Sequence, residues 1–83
     1  MDRLTAAEFN ARYPVGTPVL RYPIITPRAG TPIVTRTRSE AWTLGHGAVV
    51  VSVKGLTGGQ SLDALVVITE AEYAAKAKEQ GNG

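Results

Sequence analysis

Apolar and polar residues alternate at two-residue spacing through the middle of this chain, and each end carries the same helix-opening signal. Over residues 33–38, Ile33, Thr35 and Thr37 fall on one side of an extended strand, and Val34, Arg36 and Arg38 on the other. Residues 48–54 give the strongest strand, with Val49, Val51 and Val53 opposite Val50, Ser52 and Lys54. Thr17 to Tyr22 reads as a first strand after a Val15-Gly16 turn, and Trp42 and Leu44 continue the two-residue spacing up to a hairpin turn at Gly45-His46-Gly47. A second turn spans Gly55 to Gly59. Gln60 to Ile68 then supplies a short strand, a tight turn near Asp63-Ala64-Leu65 and a closing strand Val66-Val67-Ile68. Pro14, Pro18, Pro23, Pro27 and Pro32 exclude a long helix over 14–32, and Ile24 to Pro32 reads as a long loop.

The terminal signals are capping boxes. Thr5 stands three residues before Glu8, so the hydroxyl takes one free backbone N–H while the carboxylate reaches back to another; Leu4 and Phe9 flank them. A helix from Ala6 to Arg12 follows, stopped at Tyr13-Pro14 because a residue before proline avoids the helical region. Thr69 and Glu72 repeat the device between Ile68 and Tyr73, opening a helix over Glu70 to Gln80 in which Glu72 and Lys76 form an i,i+4 pair. This second helix has little besides Tyr73 to bury, so weak packing or fraying is expected.

Together these elements describe a mainly β protein: a small five-stranded Src-homology-3-like β-barrel with a short N-terminal helix and a C-terminal helix. The expected divisions are an N-terminal helical arm over 1–13, the barrel over 14–68, and a C-terminal helix with a disordered tail over 69–83. Closure suits a small sheet because it leaves fewer exposed edges. The 83 residues hold one domain, and none is cysteine, which excludes disulfide staples, thiolate metal sites and cysteine nucleophiles. Stability must come from a Val, Ile, Leu and Ala core, with self-association a second source open to it, so a homo-oligomer is one expectation: Val49 to Val53 either close a barrel or seam a dimer. No signal-peptide pattern follows Met1, and the unbroken apolar runs fall far short of the roughly 20 residues of a membrane span. No membrane contact is expected, and the cytoplasm is the expected compartment.

The formal net charge of +2 is unevenly spread. Residues 12–68 hold six cations, Arg12, Arg21, Arg28, Arg36, Arg38 and Lys54, against Glu40 and Asp63, while both terminal segments are net acidic. The basic character therefore belongs to the central body.

Catalytic material is sparse. His46, the only histidine, sits between two glycines and reads as a turn residue. Asp63 reads as ordering the tight turn by a side-chain to backbone bond. Ser39, Ser52 and Ser61 lack an elbow motif. Lys54-Gly55-Leu56-Thr57-Gly58-Gly59 is no phosphate loop, since the lysine precedes the glycines and strands flank it. No catalytic residue, metal ligand or cofactor is expected. The candidate binding residues are Arg21, Arg36, Arg38, Trp42 and Lys54. Arg36 and Arg38 share a strand face, Arg21 could join them if the first two strands pair, and Trp42 follows within a few residues. Such a set either tracks a phosphate backbone and stacks a base, or forms a solvated outer face with Trp42 in the core or at an interface.

Phe9-Asn10-Ala11-Arg12-Tyr13-Pro14-Val15-Gly16-Thr17-Pro18-Val19, Thr35-Arg36-Thr37-Arg38-Ser39-Glu40-Ala41-Trp42-Thr43-Leu44-Gly45, and Val53-Lys54-Gly55 through Gly58-Gly59-Gln60-Ser61-Leu62 resemble a family of small uncharacterised proteins of actinobacteria and their phages. The resemblance covers roughly residues 8–68 and implies a phage or mobile-element setting without an activity. Arg38-Ser39-Glu40-Ala41-Trp42 and Leu62-Asp63-Ala64-Leu65 also faintly resemble plasmid type II dihydrofolate reductases, short barrels whose tetramer encloses one pore. Where that family carries Val-Gln-Ile-Tyr, this chain has Gly58-Gly59-Gln60-Ser61.

The expected function is a non-enzymatic binding module contacting nucleic acid or a host protein through its basic strand face and loops. Alternatives are a phage-encoded inhibitor that occludes a bacterial enzyme or defence system, a minor structural or assembly protein, and a reductase-like tetramer.

Overall fold

The computed structural model describes residues 4–25 and 28–81. Its elements in chain order are α1 (Ala6–Arg12), β1 (Pro18–Arg21), β2 (Ile24–Ile25), β3 (Arg28–Ala29), β4 (Ile33–Arg36), β5 (Trp42–Thr43), β6 (Val49–Val51), β7 (Gln60–Ser61), a 3-10 turn (Leu62–Ala64), β8 (Leu65–Val67) and α2 (Glu70–Gly81). The fold is mixed: two helices around small antiparallel sheets.

Both capping boxes form. Glu8 N–H donates to Thr5 Oγ1 at 3.1 Å while Thr5 N–H donates to Glu8 Oε1 at 2.9 Å. Thr69 and Glu72 repeat this at 3.0 and 2.9 Å. The first helix spans the expected residues, and the second runs one residue further, to Gly81.

The strands make two three-stranded sheets, in the orders β4-β1-β8 and β5-β6-β7, and a small hairpin β2-β3. A bridge between Thr37 and Val53 joins the sheets, with Arg38 N–H donating to Ser52 O and Lys54 N–H to Arg36 O on either side. The continuous neighbour order is therefore β8, β1, β4 with β5 in line after it, β6, then β7.

The five-stranded barrel expected from the sequence is thus met in part. The described residues form eight short strands, and no ladder joins β7 to β8 to close them. The hairpin β2-β3 adds two strands to the expected five, and a break in the second expected strand adds the third. Residues 39–41 leave the ladder after the bridge, which separates β4 from β5. The 3-10 turn, opened by Ser61 Oγ accepting from Asp63 N–H at 3.1 Å, re-aims the chain between β7 and β8. Ser61 therefore caps this turn. The expected loop over 24–32 contains the hairpin β2-β3, whose connecting residues 26 and 27 lie outside the described set, as do 82 and 83 of the expected tail.

Register decides which side chains face inward. Val19 pairs with Thr35 and Val67, placing all three on the inner face. Val51 and Val53 come from the second sheet, and Phe9 from α1 closes over them. Val19, Val51 and Val53 are fully buried, as is Thr37, whose Oγ1 accepts from Gly16 N–H and Thr17 N–H at 3.0 and 3.2 Å. A buried hydroxyl is tolerated because it satisfies backbone donors of the 14–17 turn. The arm expected at 1–13 thus contributes Phe9 directly to the core.

The second helix docks rather than frays. It contacts β4 and β1 on their outer face, where Pro18, Leu20, Val34 and Arg36 alternate with the inner residues. Leu20 and Ile68 on this face are buried.

Candidate nucleic-acid interface

Pairing across β4, β5 and β6 gathers four of the five candidate residues onto one outer face. Thr37 and Val53 point inward as a bridged pair, so their neighbours Arg36, Arg38, Ser52 and Lys54 point outward. Trp42 pairs with Val50, two residues before Ser52 on the same side of β6. The row Val50, Ser52, Lys54 is about 13 Å long at strand rise. Trp42 and Arg38 flank it, and Arg36 lies across from Lys54.

Arg21 goes elsewhere. Its pairing with Ile33 and Leu65 puts it at the opposite end of β1 from Arg36, whose partner is Pro18, and on the inner face. There Arg21 Nε donates to Gln60 Oε1 at 3.2 Å. This contact spans from β1 to β7, on the side where the sheet stays open.

Trp42 is 40% exposed. It is neither a core residue nor loose, because its six-membered ring lies against Gly59. A β-carbon at residue 59 would stand 3.0 Å from both Trp42 Cη2 and Cζ2 and 2.7 Å from Val50 Cγ2. The bare glycine is what lets the ring pack beside Val50 and residue 59. Val50, beneath it, is only 5% exposed although it faces away from the main core.

The start of β5 is held by a residue the sequence reading passed over. Asn10 of α1 accepts from Ala41 N–H through Oδ1 at 2.7 Å and donates through Nδ2 to Ala41 O at 3.0 Å. The amide thus serves as a strand neighbour for the residue just before Trp42. An asparagine two residues after a capping glutamate gives no local signal of such a distant partner.

The three cations of the outer face differ. Lys54 and Arg38 are exposed; Arg38 Nη2 donates to Leu56 O at 3.2 Å, and the Lys54 ammonium has no hydrogen-bond or ion-pair partner among the described residues. Arg36 is engaged on three sides. Its Nη1 and Nη2 donate to Glu70 Oε2 and Oε1 at 2.8 and 2.7 Å, Nη1 also donates to Gly16 O at 2.9 Å, and Tyr73 lies with its ring centroid 4.1 Å from the guanidinium carbon. The Glu70 bond holds Arg36 firmly protonated, and the same bond lowers the Glu70 carboxyl below its ordinary value.

His46 is exposed in the hairpin closed by Leu44 N–H to Ala48 O at 2.8 Å, where Gly47 takes a φ of 96° that favours glycine. Among the described residues, no group of three His, Cys, Asp or Glu side chains could hold a metal ion, and no helix is long and apolar enough to cross a membrane. A cleft of about 240 Å³ lies between the start of α1 and the β6 hairpin, lined by Leu4, Ala48, Val49, Leu62 and Asp63 among others; it does not include the Trp42 face. No protein-family model, no curated protein and no solved structure matches the chain.

Proposed function

We propose that this protein is a non-enzymatic module of phage or mobile-element type that binds single-stranded nucleic acid on the outer face of β5 and β6, within an opened Src-homology-3-like barrel. The barrel reading rests on the neighbour order β8, β1, β4–β5, β6, β7 and on the 3-10 turn that interrupts the chain before its last strand. The functional reading rests on one observation: the single tryptophan is held against Gly59 and part-exposed on the same face as Arg38 and Lys54. A base stacks on a rigid indole at low entropic cost, and cations at strand spacing beside it take the flanking phosphates. Stacking needs no particular base, so the affinity is sequence-tolerant and falls as salt rises.

Fluorescence anisotropy with a labelled single-stranded oligonucleotide, titrated from low to physiological salt, tests this. Trp42→Ala removes about 1–3 kcal/mol of binding free energy, the range for one stacked base. Arg38→Ala and Lys54→Ala each flatten the salt slope by about 0.7. Absence of binding at low salt, or binding indifferent to all three changes, overturns the proposal and turns the search to a protein target.

A further inference from the structure

Arg36 lies on the proposed interface but is not available to it. Lys54 N–H donates to Arg36 O, so the two residues are cross-strand neighbours, and both side chains face outward. Arg38 follows two residues along. Among the described residues, Arg36 is the one of these three cations that pairs with an acid, and that acid comes from α2. The contact is bidentate, each terminal nitrogen donating to one carboxylate oxygen, the pairing by which a guanidinium also grips a phosphate.

The two partners are unequally held. The Glu70 side chain is 69% exposed and the Arg36 side chain 26%. Among the described residues the Glu70 carboxylate has no hydrogen-bond partner other than Arg36, whereas the guanidinium is also fixed by Gly16 O and the Tyr73 ring. Glu70 can swing into solvent while the guanidinium stays aimed.

We propose that Glu70 occupies an anion site on Arg36 and is an autoinhibitory strap: it keeps a third phosphate contact closed on the face that carries Trp42, Arg38 and Lys54. This rests on the nucleic-acid reading above. Removing the carboxylate opens the site, and a backbone phosphate of the bound strand takes its place on a guanidinium already positioned by Tyr73 and Gly16.

The test is oligonucleotide anisotropy across a salt series with the full chain, using Glu70→Gln, Arg36→Gln/Glu70→Gln and the charge-matched control Glu79→Gln, also on α2. Glu70→Gln binds about two- to five-fold more tightly at low salt, the range expected for releasing one exposed ion pair. Its salt slope steepens by about 0.7 for one added contact to a single strand. Arg36→Gln/Glu70→Gln loses that gain, and Glu79→Gln lacks it. Helix content by circular dichroism stays unchanged in Glu70→Gln. An unchanged Glu70→Gln, an equal gain in Glu79→Gln, or a gain that survives loss of Arg36 overturns the strap while leaving the interface standing. A wild-type protein and a Glu70→Gln variant that both fail to bind at low salt overturn the nucleic-acid reading itself.

Discussion

Asn10 and Ala41 are joined by two hydrogen bonds, 2.7 and 3.0 Å, that make an α-helical side chain act as the strand neighbour of a backbone 31 residues away. The pair fixes where β5 begins, and so where Trp42 stands. Asn10→Ala leaves both backbone groups of a buried residue without these partners, which costs about 1–3 kcal/mol. The expected result is a lower urea midpoint together with altered Trp42 emission in the native state. Unchanged emission would mean that β6 alone positions the indole.

Gly59→Ala should be felt at Trp42 before it is felt in global stability. The added methyl meets Trp42 at 3.0 Å and Val50 at 2.7 Å, and Val50 is nearly enclosed. The ring must lift from β6. Because Trp42 is the single tryptophan, its emission maximum and its quenching by iodide report on this one displacement. More efficient quenching is the expected outcome, and a spectrum identical to wild type would show that the ring does not rest on the glycine.

Acid should weaken the docking and capping of α2. Glu70 is lowered from its ordinary value of 4.5 by Arg36, and Glu72 from the same value by Thr69 N–H, by the Thr69 hydroxyl and to a lesser degree by Lys76. A carboxyl depressed in the folded protein contributes stability that is fully present above its unfolded pKa and lost as pH falls through its folded one. The thermal unfolding midpoint should therefore hold above pH 5 and decline below about 4.5, more steeply than in Glu70→Gln. Arg36 shifts upward, away from the working range, and adds no pH dependence there. A profile identical in Glu70→Gln would remove Glu70 from the account.

Val53→Ala should be among the more damaging single changes. The side chain is fully buried where the two sheets are bridged, and deleting its methyl groups loses both transfer free energy and contacts around the cavity left behind, together about 2 kcal/mol. Chemical denaturation measures this. Val15→Ala, at 55% exposure, should stay within about 0.5 kcal/mol of wild type.

Much of the local structure is legible in the chain. Thr5 with Glu8, and Thr69 with Glu72, mark their helix starts because a capping box involves only residues three apart. The Gly45-His46-Gly47 turn and the inward run Val49, Val51, Val53 follow from neighbours one or two residues away in the same way. The candidate face is half legible: strand period correctly puts Arg36, Arg38, Ser52 and Lys54 on common sides.

What sequence alone determined about this protein is therefore the type and order of its main elements, and the alternation of their faces, since periodicity and capping are written in residues close together along the chain. Tertiary structure decided everything that depends on which elements meet. Register sent Arg21 to Gln60 on the inner face and left Arg36 at the far end of β1. Docking of α2 supplied Glu70 and Tyr73 to Arg36, a contact between residues more than 30 positions apart. Trp42 is part-exposed because Gly59, 17 residues later in the chain, leaves room for its ring to lie against β6. The 3-10 turn leaves β7 and β8 unpaired. Each of these outcomes is settled by packing between distant segments, where a shift of one residue in register turns a side chain to the other face of its sheet.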